Sequence, residues 1–237
     1  SLPLGDCIEY TVEAGRPDTI TREKLEVLAR HKIGRISINP QTLEDSVLQA
    51  IGRRHRAGDI QAAFSLAREV GFSCVNMDLI AGLPRDSFEG FCRSLEGVLA
   101  MGPENITVHT LALKKGSTLM ERRDVIPDGD QVARMLDFSL KTLRGAGYAP
   151  YYLYRQKYMS GSLENVGWAK PGTESLYNIV MMEELQTVVS IGGGGVTKLV
   201  DPAAGRILRL PNPKYPHDYL AARDKILAQK SEIVSFY

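Results

Sequence analysis

The stretch Cys74-Val75-Asn76-Met77-Asp78-Leu79-Ile80-Ala81-Gly82-Leu83-Pro84 runs from a short apolar, strand-favouring segment into a Gly/Pro turn. Ser87, a good N-cap residue, then opens a segment carrying Phe91, Leu95, Val98 and Leu99, and Gly102 stands where a helix would stop. Apolar residues three and four apart make that helix one-sided, able to cover the face of a sheet. The next apolar run, Ile106 to Leu111, completes a βαβ pattern. Working backwards, the runs Gly34 to Ile38 and Cys7 to Val12 repeat the theme. Between them lie helix signals at Thr21 with Leu25 and Leu28, at Thr42 with Val47, Leu48 and Ile51, and at Asp59 with Ile60, Ala63, Phe64, Ala67 and Val70 before Gly71. Strand and helix alternating in this way give a parallel sheet whose right-handed crossovers bring the strand C-termini to one edge. Ligands of such sheets bind at that edge, whether the sheet is open or curled.

The pattern changes near Val125, which sets an expected division into residues 1–125 and 126–237. Beyond it come a helix from Asp128 to Arg144, the aromatic run Tyr148 to Tyr154, a helix-like Glu174 to Glu184, and apolar runs Thr187 to Ile191 and Val196 to Val200 around Gly192 to Gly195. Arg206 to Leu210 alternates, and Tyr215 to Gln229 reads as a last helix.

Composition bounds the function. The 237 residues are 43% hydrophobic and 24% charged, with a net charge of +1, so no global basic footprint for nucleic acid or anionic membrane exists. No apolar run of about 18 residues occurs, and Ser1-Leu2-Pro3-Leu4 carries no basic leader, so a cytoplasmic protein is expected. The three cysteines, Cys7, Cys74 and Cys92, match no zinc or iron–sulfur spacing, and no metal site is expected on this chain.

The strand ends offer Glu13, Asn39 with Gln41, Asp78 and His109, and the helix after the second strand adds Arg53, Arg54, His55 and Arg56. Carboxylates and amides accept from ammonium and hydroxyl groups, and arginine binds a carboxylate with a planar fork, so the set suits a polar small molecule with amine, ribose and carboxylate. Tyr151, Tyr152, Tyr154, Arg155 and Lys157 form an aromatic and basic strand, suited either to stacking on a flat macrocycle or simply to strand packing. Gly192 to Gly195 fails the phosphate-loop spacing and reads as a turn where the backbone approaches another segment or a ligand.

Thr11-Val12-Glu13-Ala14-Gly15-Arg16-Pro17, Arg35 to Thr42, Asn76 to Pro84, Tyr151 to Lys157 and Glu164 to Gly172 together resemble the oxygen-independent coproporphyrinogen III oxidases, radical S-adenosylmethionine (SAM) enzymes of haem biosynthesis. The resemblance implies an α/β chain, an incomplete parallel (β/α) partial barrel of radical SAM type followed by a smaller α+β C-terminal region. It implies that Glu13, Gln41, Arg53, Asp78 and Ile80 contact SAM, Arg53 at its carboxylate, Asp78 at its ribose and Ile80 at its adenine. Substrate-side candidates are His109, Tyr152, Arg155, Gly193 and Gly194. The family's four-iron–four-sulfur cluster is held by C-x3-C-x2-C, a motif this chain does not contain. The chain is therefore expected to be the C-terminal portion of such an enzyme and inactive by itself. The parent protein is expected to take a porphyrinogen substrate and an electron donor. The other expectations are a haem-trafficking relative, or a half-barrel remnant that self-associates through an exposed sheet edge.

Overall fold

A computed structural model of the chain describes residues 5–112, 128–155 and 163–236. Four parallel strands, β1 (Thr11–Gly15), β2 (Arg35–Ile38), β3 (Cys74–Ala81) and β4 (Asn105–Thr110), lie side by side in chain order. Helices α1 (Arg22–Arg30), α2 (Asp45–Ala50), α3 (Ala57–Val70) and α4 (Phe88–Met101) connect them. Beyond β4, α5 (Gly129–Gly145) leads to β5 (Ala149–Tyr154) and β6 (Asn165–Ala169). β6 pairs antiparallel with β4, and β5 with β6, giving a six-stranded sheet in the order β1-β2-β3-β4-β6-β5.

Local chemistry sets the helix ends. The Ser87 hydroxyl accepts from the Gly90 amide at 3.0 Å, and Gly102 closes α4 with φ +74°. Thr21 and Asp128 cap α1 and α5 by the same device. Thr42 does not cap α2, which starts after Glu44; buried, Thr42 instead bonds Ser94 of α4 at 3.1 Å and receives the Glu44 amide. Asp59 lies inside α3, where its carboxylate receives the Arg56 amide at 2.8 Å.

The core fills the layer between sheet and helices: Ile36, Ile38, Val75, Met77, Leu79 and Ile106 meet Leu25, Ile60, Phe91, Leu95 and Met135. Packing separates two compact units, Ser1–Ser175 and Leu176–Tyr237. The division expected near residue 125 falls inside the first unit, because β5 and β6 return to the parallel sheet. The second unit holds α6 (Leu176–Glu183), the hairpin β7 (Val196–Asp201) and β8 (Arg206–Pro211), and helices α7 (Pro216–Ala221) and α8 (Arg223–Ser235). Thr187 to Ile191 contributes only a bridge between Val188 and Lys198. Among the described residues no helix is long and apolar enough to cross a membrane.

Candidate functional site

Along β3 burial alternates strictly. Val75, Met77, Leu79 and Ala81 are sealed under the helices, whereas Cys74, Asn76, Asp78 and Ile80 show on the other face. Parallel register carries that face to Thr11 and Glu13 of β1, to Arg35 and Ser37 of β2, and to Asn105, Thr107 and His109 of β4. Glu13, expected just past a strand end, lies within β1 because the strand runs from Thr11 to Gly15. The helix-free face is therefore polar almost throughout.

Its side chains form one connected line. Asn39 donates to the Glu13 carboxylate at 3.4 Å and accepts from the Ser37 hydroxyl at 2.6 Å. Asn76 donates to both Ser37 at 2.9 Å and Asp78 Oδ1 at 2.8 Å. His109 Nε2 lies 3.5 Å from Asp78 Oδ2, and its Nδ1 lies 3.3 Å from the Tyr154 hydroxyl. Thr107 joins Asn76 to the Tyr152 hydroxyl, 3.3 Å on one side and 3.2 Å on the other. Glu13 opens to solvent at its edge strand, yet the surrounding protein and then the Asp78 charge raise its pKa, against lowering by Ser37, Asn39 and His109. Burial first, and the nearby Asp78 charge among smaller causes, push the Tyr152 phenol well up, so it stays a neutral hydroxyl.

Tyr152 and Tyr154 reach this line from β5 by crossing β6. They do so because β6 offers no bulk there: a Cβ on Gly167 would overlap the Tyr152 ring, and the Asn165 side chain accepts the Thr110 amide at 2.7 Å. The two rings lie 6.3 Å apart and nearly parallel at 13°, forming a flat aromatic floor. Arg155, one residue further, belongs to the opposite parity. It is exposed, pairs with Glu164 at 2.9 Å, and borders a hollow with Leu136, Leu140 and Trp168 on the helix side, outside the polar line.

The loops after the strands complete the site. Gln41 has φ +70°, a costly conformation for a non-glycine residue, held because its amide donates to the Asp78 carbonyl and its carbonyl accepts from Ile80, both at 2.9 Å. Ile80 packs beside Val47, Ile51, Leu83 and Leu111, a small apolar cluster next to Gln41. Arg53 is partly buried and has no carboxylate within ion-pair distance among the described residues. Asp18 attracts it, but both Asp18 oxygens are taken by Arg16 at 3.0 and 2.7 Å. Burial and then the Arg16 charge lower the Arg53 pKa, the mark of a cation short of a counter-ion. Beside it, His55 is buried with Nδ1 3.8 Å from Asp18 Oδ1, and burial, then Arg53, lower its pKa.

Ser37, Asn76, Thr107 and Arg16 were not among the sequence-derived site residues. Period two counted back from Asp78 points to Asn76, and strand register then adds Ser37 and Thr107. Gly193 and Gly194 lie in the second unit, where the turn closes on its own neighbour: the Gly194 amide donates to the Pro213 carbonyl at 2.7 Å, and Asn212 Nδ2 donates to Gly192 at 2.9 Å. Among the described residues no group of three His, Cys, Asp or Glu side chains is placed to hold a metal ion. Cys74 donates its thiol to Asn105 at 3.4 Å, Cys92 is in α4, and burial raises both thiols, so these cysteines do not fit a cluster.

The parallel strands and their covering helices form an α/β half-barrel, with Glu13 and Asp78 on its polar face, Gln41 in the loop after β2 and Arg53 after α2. Residues 5–95 match the model of the Radical SAM superfamily, and the chain belongs to that superfamily. Its likeness runs to the oxygen-independent coproporphyrinogen-III-oxidase-like family. It is 46% identical over 213 residues to the oxygen-independent coproporphyrinogen-III oxidase-like protein HemZ of Bacillus subtilis, covering 89% of this chain and 42% of that protein. It is 31% identical over 181 residues to the heme chaperone HemW of Bacillus subtilis, covering 75% and 44%. The fold matches coproporphyrinogen III oxidase (HemN) from Escherichia coli with TM-score 0.71 at 21% identity, over 92% of this chain and 49% of that one. The chain spans about half the length of the curated relatives it matches.

Proposed function

We propose that the polar face binds SAM and that the protein serves tetrapyrrole metabolism, converting a porphyrinogen of the coproporphyrinogen class. The carrying observation is Arg53: a partly buried guanidinium beside Arg16, left without a carboxylate because Arg16 occupies Asp18. An amino-acid carboxylate is the complement that site lacks. Glu13 would receive the ammonium group, Asp78 the ribose hydroxyls, and the cluster around Ile80 the adenine, with the Gln41 backbone holding β2 against β3 beneath them. When bound, SAM supplies the 5′-deoxyadenosyl group on which this superfamily's radical chemistry depends. The described cysteines of this chain do not fit the superfamily's iron–sulfur cluster. The flat Tyr152 and Tyr154 rings would take a face of the macrocycle.

A second reading, that the protein holds haem without converting it, is favoured by relatives described as heme chaperones, at 28% identity over 222 residues in Escherichia coli and 31% in Bacillus subtilis. The test is equilibrium binding of SAM to the wild-type chain and to Arg53→Ala. Binding weakened about tenfold or more is expected from losing a charged hydrogen-bonded partner; equal binding refutes the site. Titration with haem, and assay of a cluster-containing preparation for vinyl product from coproporphyrinogen III, then separates the two readings.

A further inference from the structure

Asp78 sits between two like-charged or polar demands. Its Oδ1 is fixed by Asn76 at 2.8 Å, whereas Oδ2 lies 3.5 Å from His109 Nε2. What holds the second oxygen depends on which His109 nitrogen carries the proton. With the proton on Nδ1, a bare Nε2 lone pair would confront a carboxylate. With it on Nε2, the ring donates to Asp78 and Nδ1 accepts from the Tyr154 phenol, 3.3 Å away. Of the two neutral tautomers, only the second puts a donor at both contacts. The Tyr154 ring also packs edge-on against the imidazole, centroids 6.3 Å apart at 72°. Three strands thus contribute one residue each, and the line runs from the aromatic floor to the carboxylate.

We infer that His109 is a positioning residue for Asp78, locked as the Nε2–H tautomer by Tyr154 and aiming its single ring proton at the carboxylate that a bound adenosyl ligand would meet. The inference rests on reading Asp78 as a ribose contact. It also makes Tyr154 more than floor: the phenol sets the tautomer, so a change at β5 is felt at β3 through one imidazole. The groups facing His109 are Asp78 from β3, Glu13 from β1 and Tyr154 from β5. The 3.5 Å between His109 Nε2 and Asp78 Oδ2 is a long charge contact rather than a short hydrogen bond.

The test combines ¹⁵N NMR of the histidine rings with calorimetric binding of S-adenosylhomocysteine, a probe that is not consumed. The four histidines are resolved by comparison with His109→Gln. At neutral pH the wild-type His109 signal is expected to report Nε2–H, and Tyr154→Phe to give mixed tautomers. The probe is expected to bind His109→Gln within about threefold of wild type, because the amide keeps a donor toward Asp78, and His109→Phe about tenfold more weakly. An Nδ1–H tautomer in the wild type, or equal binding by His109→Phe, overturns the inference. If the wild type shows Nε2–H yet no variant binds the probe, the cofactor reading fails and takes the ligand-facing role of His109 with it, while the lock by Tyr154 stands.

Discussion

The two faces of one strand divide the work of the molecule. Along β3, Leu79 is fully buried among the helices while its neighbour Asp78 joins a polar line of side chains, and the two differ by a single step of the pleat. The helix side contains the interdigitated apolar groups whose burial holds the fold together. The other side carries carboxylates, amides, an imidazole and phenols that satisfy one another. Stability and recognition are therefore separable by residue parity, and substitutions on adjacent residues should have unlike consequences.

The largest contrast is between Leu79→Ala and Asp78→Asn. Removing the Leu79 side chain from a fully buried position should cost about 3–5 kcal/mol by cavity formation, read as a lowered urea midpoint with unchanged slope. Asp78→Asn keeps an acceptor for Asn76 and should leave the midpoint nearly unchanged while weakening adenosyl-ligand binding about tenfold or more. Equal loss of stability in both variants would show that the polar face is structural.

Asp86 is where the two kinds of environment meet. It follows β3, is 8% exposed, receives the Ser87 amide at 2.9 Å on Oδ1, and has no partner on Oδ2 among the described residues. Arg93 gives little relief because Glu44 holds it at 3.0 and 2.8 Å. Burial first, with Glu44 adding, raises the Asp86 pKa to about 6. A carboxyl whose folded pKa lies above its unfolded one binds its proton more tightly when folded. Stability is therefore lost as pH rises from about 4 through about 6, by roughly 3 kcal/mol at 1.36 kcal/mol per pKa unit. Asp86→Asn should raise the melting temperature at pH 7.5 and have little effect at pH 3.5; a variant no more stable at pH 7.5 would refute the assignment.

What was readable beforehand follows the range of the interactions. Caps at Thr21 and Ser87 and stops at Gly71 and Gly102 are settled within a turn of helix, and the structure has them. The strand-and-helix alternation placed Glu13, Gln41 and Asp78 at strand ends; the structure sets Gln41 after β2, bonded to the Asp78 backbone, but Glu13 and Asp78 lie within β1 and β3 on the polar face. Thr42 misled because a buried hydroxyl found Ser94, more than fifty residues away in sequence, instead of its own helix. The return of β5 and β6 to the sheet was likewise invisible, since pairing of Asn105 with Ala169 depends on segments far apart in the chain. His109 was legible as a strand-end residue, but its link to Tyr154 depends on the long-range pairing that brings β5 beside β6.

The hairpin of β5 and β6 offers the finest division. Gly167→Ala places a methyl group inside the Tyr152 ring, so the ring must leave Thr107; overpacking of this kind costs about 1–3 kcal/mol and should also disturb the floor. Arg155, on the other parity, has among the described residues its pair with Glu164, with side chains 59% and 42% exposed. Solvent screens such a pair, so Arg155→Ala should shift stability by less than about 0.5 kcal/mol. Binding of an adenosyl ligand or of a tetrapyrrole should be unchanged within twofold. If Arg155→Ala instead weakened tetrapyrrole binding tenfold, the macrocycle's carboxylates would reach round the end of β5, and the boundary of the site would follow the strand end instead of the pleat.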